Sequence, residues 1–206
     1  MKRLIFATSN KDKVREIKEM TQDMNVEVLS SADIGFDKDV EENGVTFVDN
    51  AIIKAKAISE YIKNEKKEYC DAVVLADDSG LEIDYYDKAP GVYSHRWLGE
   101  RTYFQAMTDV INDMKDVPIE KRGARFVCSM AAVLPDDSIA TTIQNCEGVV
   151  GYKIEGDNGF GYDPFFFVPE FGCTTAQMTP EQKNEISHRG KALREMLAIL
   201  KEKYFK

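Results

Sequence analysis

Hydrophobic and polar positions follow two different periods along the first third of the chain. Short apolar runs at residues 2–8 and 26–29 are typical of buried strands. Between them, apolar side chains recur every three or four positions, which predicts an amphipathic helix over residues 11–24 with Asn10 as its N-terminal cap. The pattern therefore predicts a strand, a helix and a second strand.

A second helix is predicted after Thr46, because Asp49 follows three positions later as the partner in a capping box. Its apolar stripe consists of Phe47, Ala51, Ala55, Ile58 and Ile62. An apolar run at residues 72–76 then ends at two adjacent aspartates, and alternation resumes at residues 80–84. Asp is depleted in strands and costly to bury unpaired, so this pattern predicts a strand with an acidic break.

The second half of the chain contains further helix and strand patterns. Residues 102–114 predict a helix, and residues 124–134 and 138–149 predict two strands joined by a Pro-Asp-Asp hairpin. An aromatic strand is expected at residues 164–169, and Ser187 is expected to cap the last helix. Early alternation of strands and helices followed by a hairpin indicates an α/β fold with a mixed sheet.

Composition and charge restrict the possible partners. The chain has 206 residues, of which 43% are hydrophobic and 31% charged, which suits one large domain or two small lobes with a shared core. A net charge of −9 argues against binding to duplex nucleic acid, whereas converging lysines or a divalent cation would allow a phosphate-bearing small molecule. No apolar run approaches the roughly 20 residues of a membrane helix or suits a signal peptide, so we expect a cytoplasmic protein.

The cysteines are widely spaced and form no CxxC pair, so a zinc site is not expected. A cytoplasmic setting also argues against disulfides. Cys128 lies in an apolar run and is interpreted as a small core residue.

The segment TSNKDK, from Thr8 to Lys13, lies at the first strand-to-helix junction. A helix N-terminus presents free N–H groups and a positive dipole end, which suits phosphate, and the hydroxyl, amide and lysine side chains would add donors and charge. The alternative is an ordinary Asn cap followed by solvated lysines. The segment lacks the GxxxxGK[ST] and GxGxxG patterns of other phosphate-binding loops.

Two pairs of adjacent acids are candidate metal ligands or acid–base groups. Glu41 and Glu42 precede the second helix, and Mg²⁺ prefers one or two carboxylates together with phosphate oxygens and water. Asp77 and Asp78 stand at the end of a buried strand and need counter-charge there, which favours a function for Asp78. The alternatives are solvated charge for the glutamates and backbone-bonded turn residues for the aspartates.

An aromatic, glycine-rich segment covers residues 156–170. Phe160 and Tyr162 offer flat faces on which a base could stack, and Asp163 could accept a hydrogen bond from a base edge or a ribose. Gly161 would permit close approach of the backbone. The alternative is an aromatic core corner with glycine turns.

Basic residues mark the beginning of the last predicted helix. His188 and Arg189 follow the Ser187 cap, where cations oppose the helix dipole, and Lys183 precedes them. Residues placed against a local preference indicate a ligand role. The alternative is solvated surface charge.

Taken together and in order, these segments closely resemble the inosine triphosphate pyrophosphatase family. The resemblance covers about residues 4–200, so it implies one domain of that family over the whole chain. It rests on TSNKDKVREI, EENGVTFVDNAIIKA, ADDSGLEID, APGVYSHR, GFGYDPFFFVPE and KNEISHRGKAL. It implies a long mixed sheet with flanking helices in two lobes, a cleft between the lobes, and a homodimer.

The resemblance also implies an activity and a set of site residues. The activity is Mg²⁺-dependent hydrolysis of the deaminated purine nucleotides dITP, ITP and XTP to the monophosphate and pyrophosphate. Asp78 would be the proton acceptor and, with Glu41, a metal ligand. The substrate would be bound by Thr8, Ser9, Asn10, Lys11, Asp12, Lys13, Ser79, Phe160, Gly161, Tyr162, Asp163, Lys183, His188 and Arg189.

Two positions depart from the family pattern, and two other functions compete with it. Ser9 replaces a common glycine, and His95 replaces a common small residue, so no catalytic role is assigned to His95. A related pyrophosphatase directed at pyrimidine nucleotides is one alternative. A non-catalytic nucleotide sensor is the other, and the presence of both matched acids argues against it.

Overall fold

The computed structural model describes residues 2–8 and 10–205, and for Lys11, Asp12 and Glu16 it describes the backbone only. The strands are β1 (Lys2–Phe6), β2 (Val26–Ser30), β3 (Val73–Ile83), β4 (Gly123–Val133), β5 (Ile139–Val150), β6 (Phe166–Val168) and β7 (Cys173–Thr174). The helices are α1 (Lys11–Met20), α2 (Phe47–Glu65), α3 (Tyr103–Asp113), α4 (Pro180–Ile186) and α5 (His188–Lys203). None of the helices in the described part of the chain is both long and apolar enough to cross a bilayer.

Within the described residues, the strands form one seven-stranded sheet in the order β2-β1-β3-β4-β5-β6-β7. Strand β1 pairs in parallel with both β2 and β3, whereas β6 pairs antiparallel with β5 and β7. Parallel neighbours need a crossover, and the helices α1 and α2 lie in the connections that supply it. The predicted α/β fold with a mixed sheet is confirmed.

The chain divides into two compact units. The first unit contains the residues up to Asp78, Ser129–Ile143 and the residues from Ala192 onward, and the second contains Ser79–Cys128 and Gln144–Lys191. Each unit has its own hydrophobic core. In the first, the inner face of α2 packs with side chains of β1, β3 and β4, and in the second the core centres on Phe126, Phe165 and Phe166.

Several local predictions from the sequence are confirmed. Thr46 and Asp49 form the capping box of α2, and the predicted apolar stripe of that helix is buried. The Asn10 Oδ1 atom accepts the Lys13 N–H at 3.3 Å, as a cap of α1 should. Helix α1 is shorter than predicted, because the chain leaves it at Met20 and turns before β2.

Two features of the chain differ from the prediction. Strand β3 runs from Val73 to Ile83 without the expected acidic break. Helix α4 was not predicted, although its start carries a recognisable signal, since Thr179 and Gln182 form a capping box with Pro180 at the first helical position. The short length of this helix leaves no apolar periodicity to detect.

Candidate active site

Asp77 and Asp78 are both buried in strand β3, and each is paired with a different lysine. Both carboxylate oxygens of Asp77 accept from the Lys13 ammonium at 2.8 Å. Asp78 Oδ1 lies 3.2 Å from the ammonium of Lys54 in α2. Neutralisation by these two cations explains why the strand continues through two adjacent acids.

The environment of Asp78 perturbs the protonation of its carboxyl. Burial raises the pKa of Asp78 to about 6, the negative charge of Glu42 adds to this effect, and Lys54 opposes it. Asn50 donates to Asp78 Oδ2 at 3.1 Å, which also favours the ionised form. Burial opposes the charged form of Lys54, but the carboxylates of Asp78, Asp77 and Glu42 outweigh burial and raise the pKa of Lys54.

The loop before α2 brings Glu42, and not Glu41, to this cluster. Glu42 Oε2 lies 3.4 Å from the Lys54 ammonium, whereas the Glu41 side chain is exposed. Asn50 fixes the loop, because its Oδ1 accepts the Gly44 N–H at 2.8 Å while its amide group bonds Asp78. The role of Glu41 as a metal ligand stays a prediction, and Glu42 is a further candidate because it is the acid of this pair that reaches Lys54.

A side chain at position 44 would collide with the residues that organise this loop. A Cβ atom there would lie 2.6 Å from Asp49 Cβ and 2.7 Å from Asn50 Oδ1. Gly44 is thus required for the close approach of the loop to α2.

Asn50 and Lys54 are site residues that the sequence reasoning missed. Lys54 follows Ala51 by three positions and precedes Ile58 by four, so the helical period places it on the buried stripe of α2. Asn50 lies on the same side one turn earlier and is fully buried. A charged and an amide side chain within an apolar stripe were the signal, because such groups are rarely buried without a partner.

A cavity of about 360 Å³ opens beside this cluster in the first unit. It is lined by both polar and apolar residues: Ala7, Thr8, Lys13, Ser31, Phe36, Asp37, Lys38, Asp39, Val40, Glu42, Lys54, Ile58 and Asp77. The predicted phosphate segment reaches it through Thr8 and Lys13, and the Thr8 hydroxyl oxygen accepts the Asn10 N–H at 3.1 Å. Ser9 and the side chains of Lys11 and Asp12 lie outside the described residues, so their predicted roles are unchanged.

A divalent cation suits the acids of this cluster. One ammonium already lies within 3.4 Å of both Asp78 and Glu42, so the two carboxylates present oxygens to a common cation position. Among the described residues, no group of three His, Cys, Asp or Glu side chains could hold a metal by itself. An ion held here would complete its coordination with phosphate oxygens and water, as Mg²⁺ commonly does.

A second cluster, in the second unit, surrounds Phe160. The Phe160 side chain is 57% exposed, and the Lys183 ammonium and the Arg189 guanidinium lie 5.1 and 5.6 Å from its ring centroid. Asp163 Oδ2 accepts from the Lys183 ammonium at 2.5 Å and from the Phe160 N–H at 2.8 Å. The structure therefore groups three of the predicted base-binding residues around the exposed ring of a fourth, Phe160.

The structure argues against two predicted contacts with the base. The Tyr162 ring is only 4% exposed, and its hydroxyl donates to the Ser94 carbonyl at 2.9 Å, so it belongs to the core of the second unit. The Asp163 carboxylate is buried and already engaged by protein donors, which counts against it as a base reader.

Gly161 has φ +67°, a conformation that favours glycine, and a Cβ there would touch the Tyr103 ring.

His188 is the first residue of α5, as predicted, and its ring stacks on Phe126 with centroids 5.0 Å apart. The Ser187 hydroxyl oxygen accepts the Gly190 N–H at 3.0 Å and so caps the helix. Ser79 follows Asp78 in β3 and is partly exposed. Contacts of His188 and Ser79 with a substrate stay predictions.

Known proteins match almost the whole length of this chain. The dITP/XTP pyrophosphatase of Clostridium perfringens is 42% identical over 202 residues, which cover 98% of each chain. The dITP/XTP pyrophosphatase of Bacillus cereus is 42% identical over 95% of this chain and 93% of its own.

Solved structures with the same fold and a family model also match almost the whole chain. A Ham1 protein from Coxiella burnetii is 34% identical with a TM-score of 0.86, over 98% of this chain and all of the other. The Staphylococcus aureus Ham1 protein is also 34% identical, with a TM-score of 0.85 over 98% of this chain and 99% of the other. The Ham1 family model also matches residues 4–199, which is nearly the full length of this chain. This chain therefore belongs to the Ham1 family.

Proposed function

We propose that this protein hydrolyses the deaminated purine nucleoside triphosphates dITP, ITP and XTP to the monophosphate and pyrophosphate. The relatives named dITP/XTP pyrophosphatase, which match almost the whole chain, support the choice of substrate. The reaction itself is supported by the carboxylates and lysines around the cavity of the first unit.

The observation that carries the proposal is the environment of Asp78. Burial holds the pKa of this carboxyl at about 6, so at neutral pH it is ionised but basic enough to take a proton from water. Lys13 and Lys54 provide positive charge beside it for phosphate oxygens. Phosphoryl transfer asks a protein mainly for positioning and charge neutralisation, and these residues are suited to both.

We propose that Asp78 and Glu42 hold Mg²⁺. When bound, the ion would neutralise phosphate charge and lower the pKa of a bound water. The pairing of Lys54 with both acids supports this assignment, because it shows that their oxygens converge on one cation. Lys54 would keep these oxygens paired in the absence of the ion.

Choice of the base is assigned to the cluster around Phe160. Hypoxanthine and xanthine carry an acceptor oxygen at C6, where adenine carries an amino donor. Lys183 and Arg189 supply donors beside the exposed ring, so adenine would leave a donor unpaired, at a cost of about 1–3 kcal/mol for each buried group. The Phe160 ring offers a face on which the base can stack.

We also propose that the protein acts as a homodimer in the cytoplasm and does not bind nucleic acid. The family resemblance supports the dimer. The net charge of −9 supports the absence of nucleic-acid binding, because it repels phosphate backbones.

The decisive test is pyrophosphate release from dITP, ITP, XTP, dATP, dGTP and dUTP, with and without Mg²⁺. Release from the deaminated purines well above the others, and only with Mg²⁺, supports the proposal. A preference for dUTP would instead identify a pyrimidine-directed enzyme. Tight binding without release would identify a sensor.

Adjacent acids provide a matched test of the metal site. Glu42→Gln should raise the Mg²⁺ concentration for half-maximal activity by roughly tenfold or more, the size expected for losing one contributor to a metal site. Glu41→Gln makes the same chemical change on an exposed side chain and should change this Mg²⁺ concentration by less than about twofold. Equal effects of the two substitutions would contradict the assignment of Glu42.

A further inference from the structure

The Asp163 carboxylate is surrounded by donors from its own unit. Its Oδ2 atom accepts from the Lys183 ammonium and from the Phe160 N–H, at 2.5 and 2.8 Å. Its Oδ1 atom accepts from the Thr175 hydroxyl at 2.9 Å. Only 4% of Asp163 is exposed, so three protein donors and burial leave a substrate little access to this carboxylate.

Thr175 completes this arrangement from the opposite side of the carboxylate. It is 3% exposed, and its hydroxyl lies within hydrogen-bonding distance of both the side chain and the carbonyl oxygen of Asp163, at 2.9 and 3.1 Å. Because both acceptors of this buried hydroxyl belong to Asp163, the hydroxyl restricts the rotation of the Asp163 side chain. Thr175 therefore fixes the carboxylate that fixes Lys183.

The glycine-rich loop is shaped to admit this ion pair. A Cβ atom at Gly159 would lie 2.3 Å from Asp163 Oδ2 and 2.9 Å from the Lys183 ammonium, and Gly159 has φ +79°. The loop thus passes close to the pair at a residue that only glycine fills without strain. The next residue along the loop is Phe160, and the cationic groups of Lys183 and Arg189 lie close to its ring.

We propose that Thr175 and Asp163 are positioning residues for selection of the base. They do not touch the substrate. Instead, Thr175 orients Asp163, and Asp163 sets the positions of the Lys183 ammonium and the Phe160 backbone. The proposal rests on the proposed function, because it deepens the role of Lys183 as the donor that distinguishes a C6 oxygen from an amino group.

Thr175→Val tests the proposal with a change that keeps the shape of the side chain and removes the hydroxyl. We expect the ratio of kcat/KM for dITP over dATP to fall about tenfold, mainly through KM, because a hydrogen bond to a charged group is lost. Thr175→Ser restores the hydroxyl and should restore the ratio. In a Lys183→Met background, Thr175→Val should change the ratio by less than about twofold, because positioning through Lys183 is then already lost.

A second measurement does not depend on turnover. The Phe160 amide donates to Asp163, so its hydrogen exchange should be about tenfold faster in Thr175→Val than in the wild-type protein. Thr142→Val serves as a matched control, because Thr142 is a buried threonine of the first unit whose hydroxyl donates to the Ala192 carbonyl. It should change neither the exchange of Phe160 nor the dITP preference.

The outcomes separate this inference from the proposed function. If the wild-type protein releases no pyrophosphate from any triphosphate, the proposed function fails, and the Phe160 exchange still decides whether Thr175 orders the loop. Unchanged exchange and an unchanged dITP preference in Thr175→Val would overturn the positioning role. The positioning role would also be overturned if Thr175→Val lowered kcat/KM equally for dITP and dATP and did so in the Lys183→Met background as well. Such losses indicate a structural role alone.

Discussion

Asp78→Asn should abolish pyrophosphate release and, at neutral pH, leave the protein as stable as the wild type or more stable. The substitution keeps the shape of the side chain and removes its charge. It resembles the protonated form of Asp78, which burial favours in the folded protein. Catalysis is therefore expected to fall without a loss of stability.

The magnitude follows from the pKa of Asp78. Its rise from 3.8 to about 6 means that the folded state binds this proton more tightly than the unfolded chain does. Stability from this group is therefore fully present below about pH 4 and is lost as the pH rises to about 6. At about 1.4 kcal/mol per pKa unit, the full loss is about 3 kcal/mol, which is the upper limit of the gain for Asp78→Asn at pH 7.5.

The assay is urea unfolding of both proteins at pH 4, 5, 6 and 7.5 without divalent cations, alongside pyrophosphate release with Mg²⁺. The stability of Asp78→Asn relative to the wild type should rise between pH 4 and pH 6 and then level off. A constant difference across these pH values would refute the reasoning. So would a variant that loses more than about 1 kcal/mol at pH 7.5, or one that retains turnover.

Asp77→Asn is the matched control, since it removes the same charge from the neighbouring residue. Asp77 accepts from the Lys13 ammonium through both oxygens, and its side chain is almost fully buried. Removing one partner of such a pair should cost about 3 kcal/mol at pH 7.5. Asp77→Asn should thus lower the free energy of unfolding at pH 7.5, whereas Asp78→Asn should not.

Three further substitutions test other parts of the site. In urea unfolding, Lys54→Met should lower the free energy of unfolding by about 3 kcal/mol at pH 8 and by less at pH 5, where Asp78 is protonated. Lys56→Met is the control on an exposed side chain and should lower it by under about 0.5 kcal/mol. Gly159→Ala forces a Cβ to 2.3 Å from a carboxylate oxygen at φ +79°, so it should lower the melting temperature and raise KM for dITP about tenfold. Arg189→Ala should narrow the difference between dITP and dATP in kcat/KM by about tenfold, and an unchanged ratio would contradict its role in reading the base.

Local signals in the sequence predicted much of the fold. The capping box at Thr46 and the apolar stripe of α2 depend on near neighbours in the chain, so periodicity and turn chemistry suffice to find them. The continuity of β3 through its two aspartates could not be found in this way. It depends on lysines that are 24 and 64 positions distant, and no local pattern reports such partners.

The candidate site was predicted at the level of segments more than of individual residues. The acidic pair before α2 was identified, but its sequence does not show that Glu42 reaches Lys54 whereas Glu41 is exposed. Tyr162 was assigned to the base because it is aromatic, whereas its hydroxyl bonds the carbonyl of Ser94, 68 positions away in the chain. Sequence spacing does not indicate which of two neighbouring side chains is buried.

The two adjacent aspartates of β3 have different lysine partners. Successive side chains of a strand point to opposite faces, so Asp77 and Asp78 meet partners from different helices, Lys13 of α1 and Lys54 of α2. Asp77 has both oxygens bound by one ammonium and is suited to holding Lys13 in place. Asp78 shares Lys54 with Glu42 and has a raised pKa, which supports the proposed exchange of that cation for a metal and the proposed transfer of a proton. The two residues have the same charge but differ in their lysine partners, because Asp77 pairs with Lys13 whereas Asp78 pairs with a lysine that also contacts Glu42.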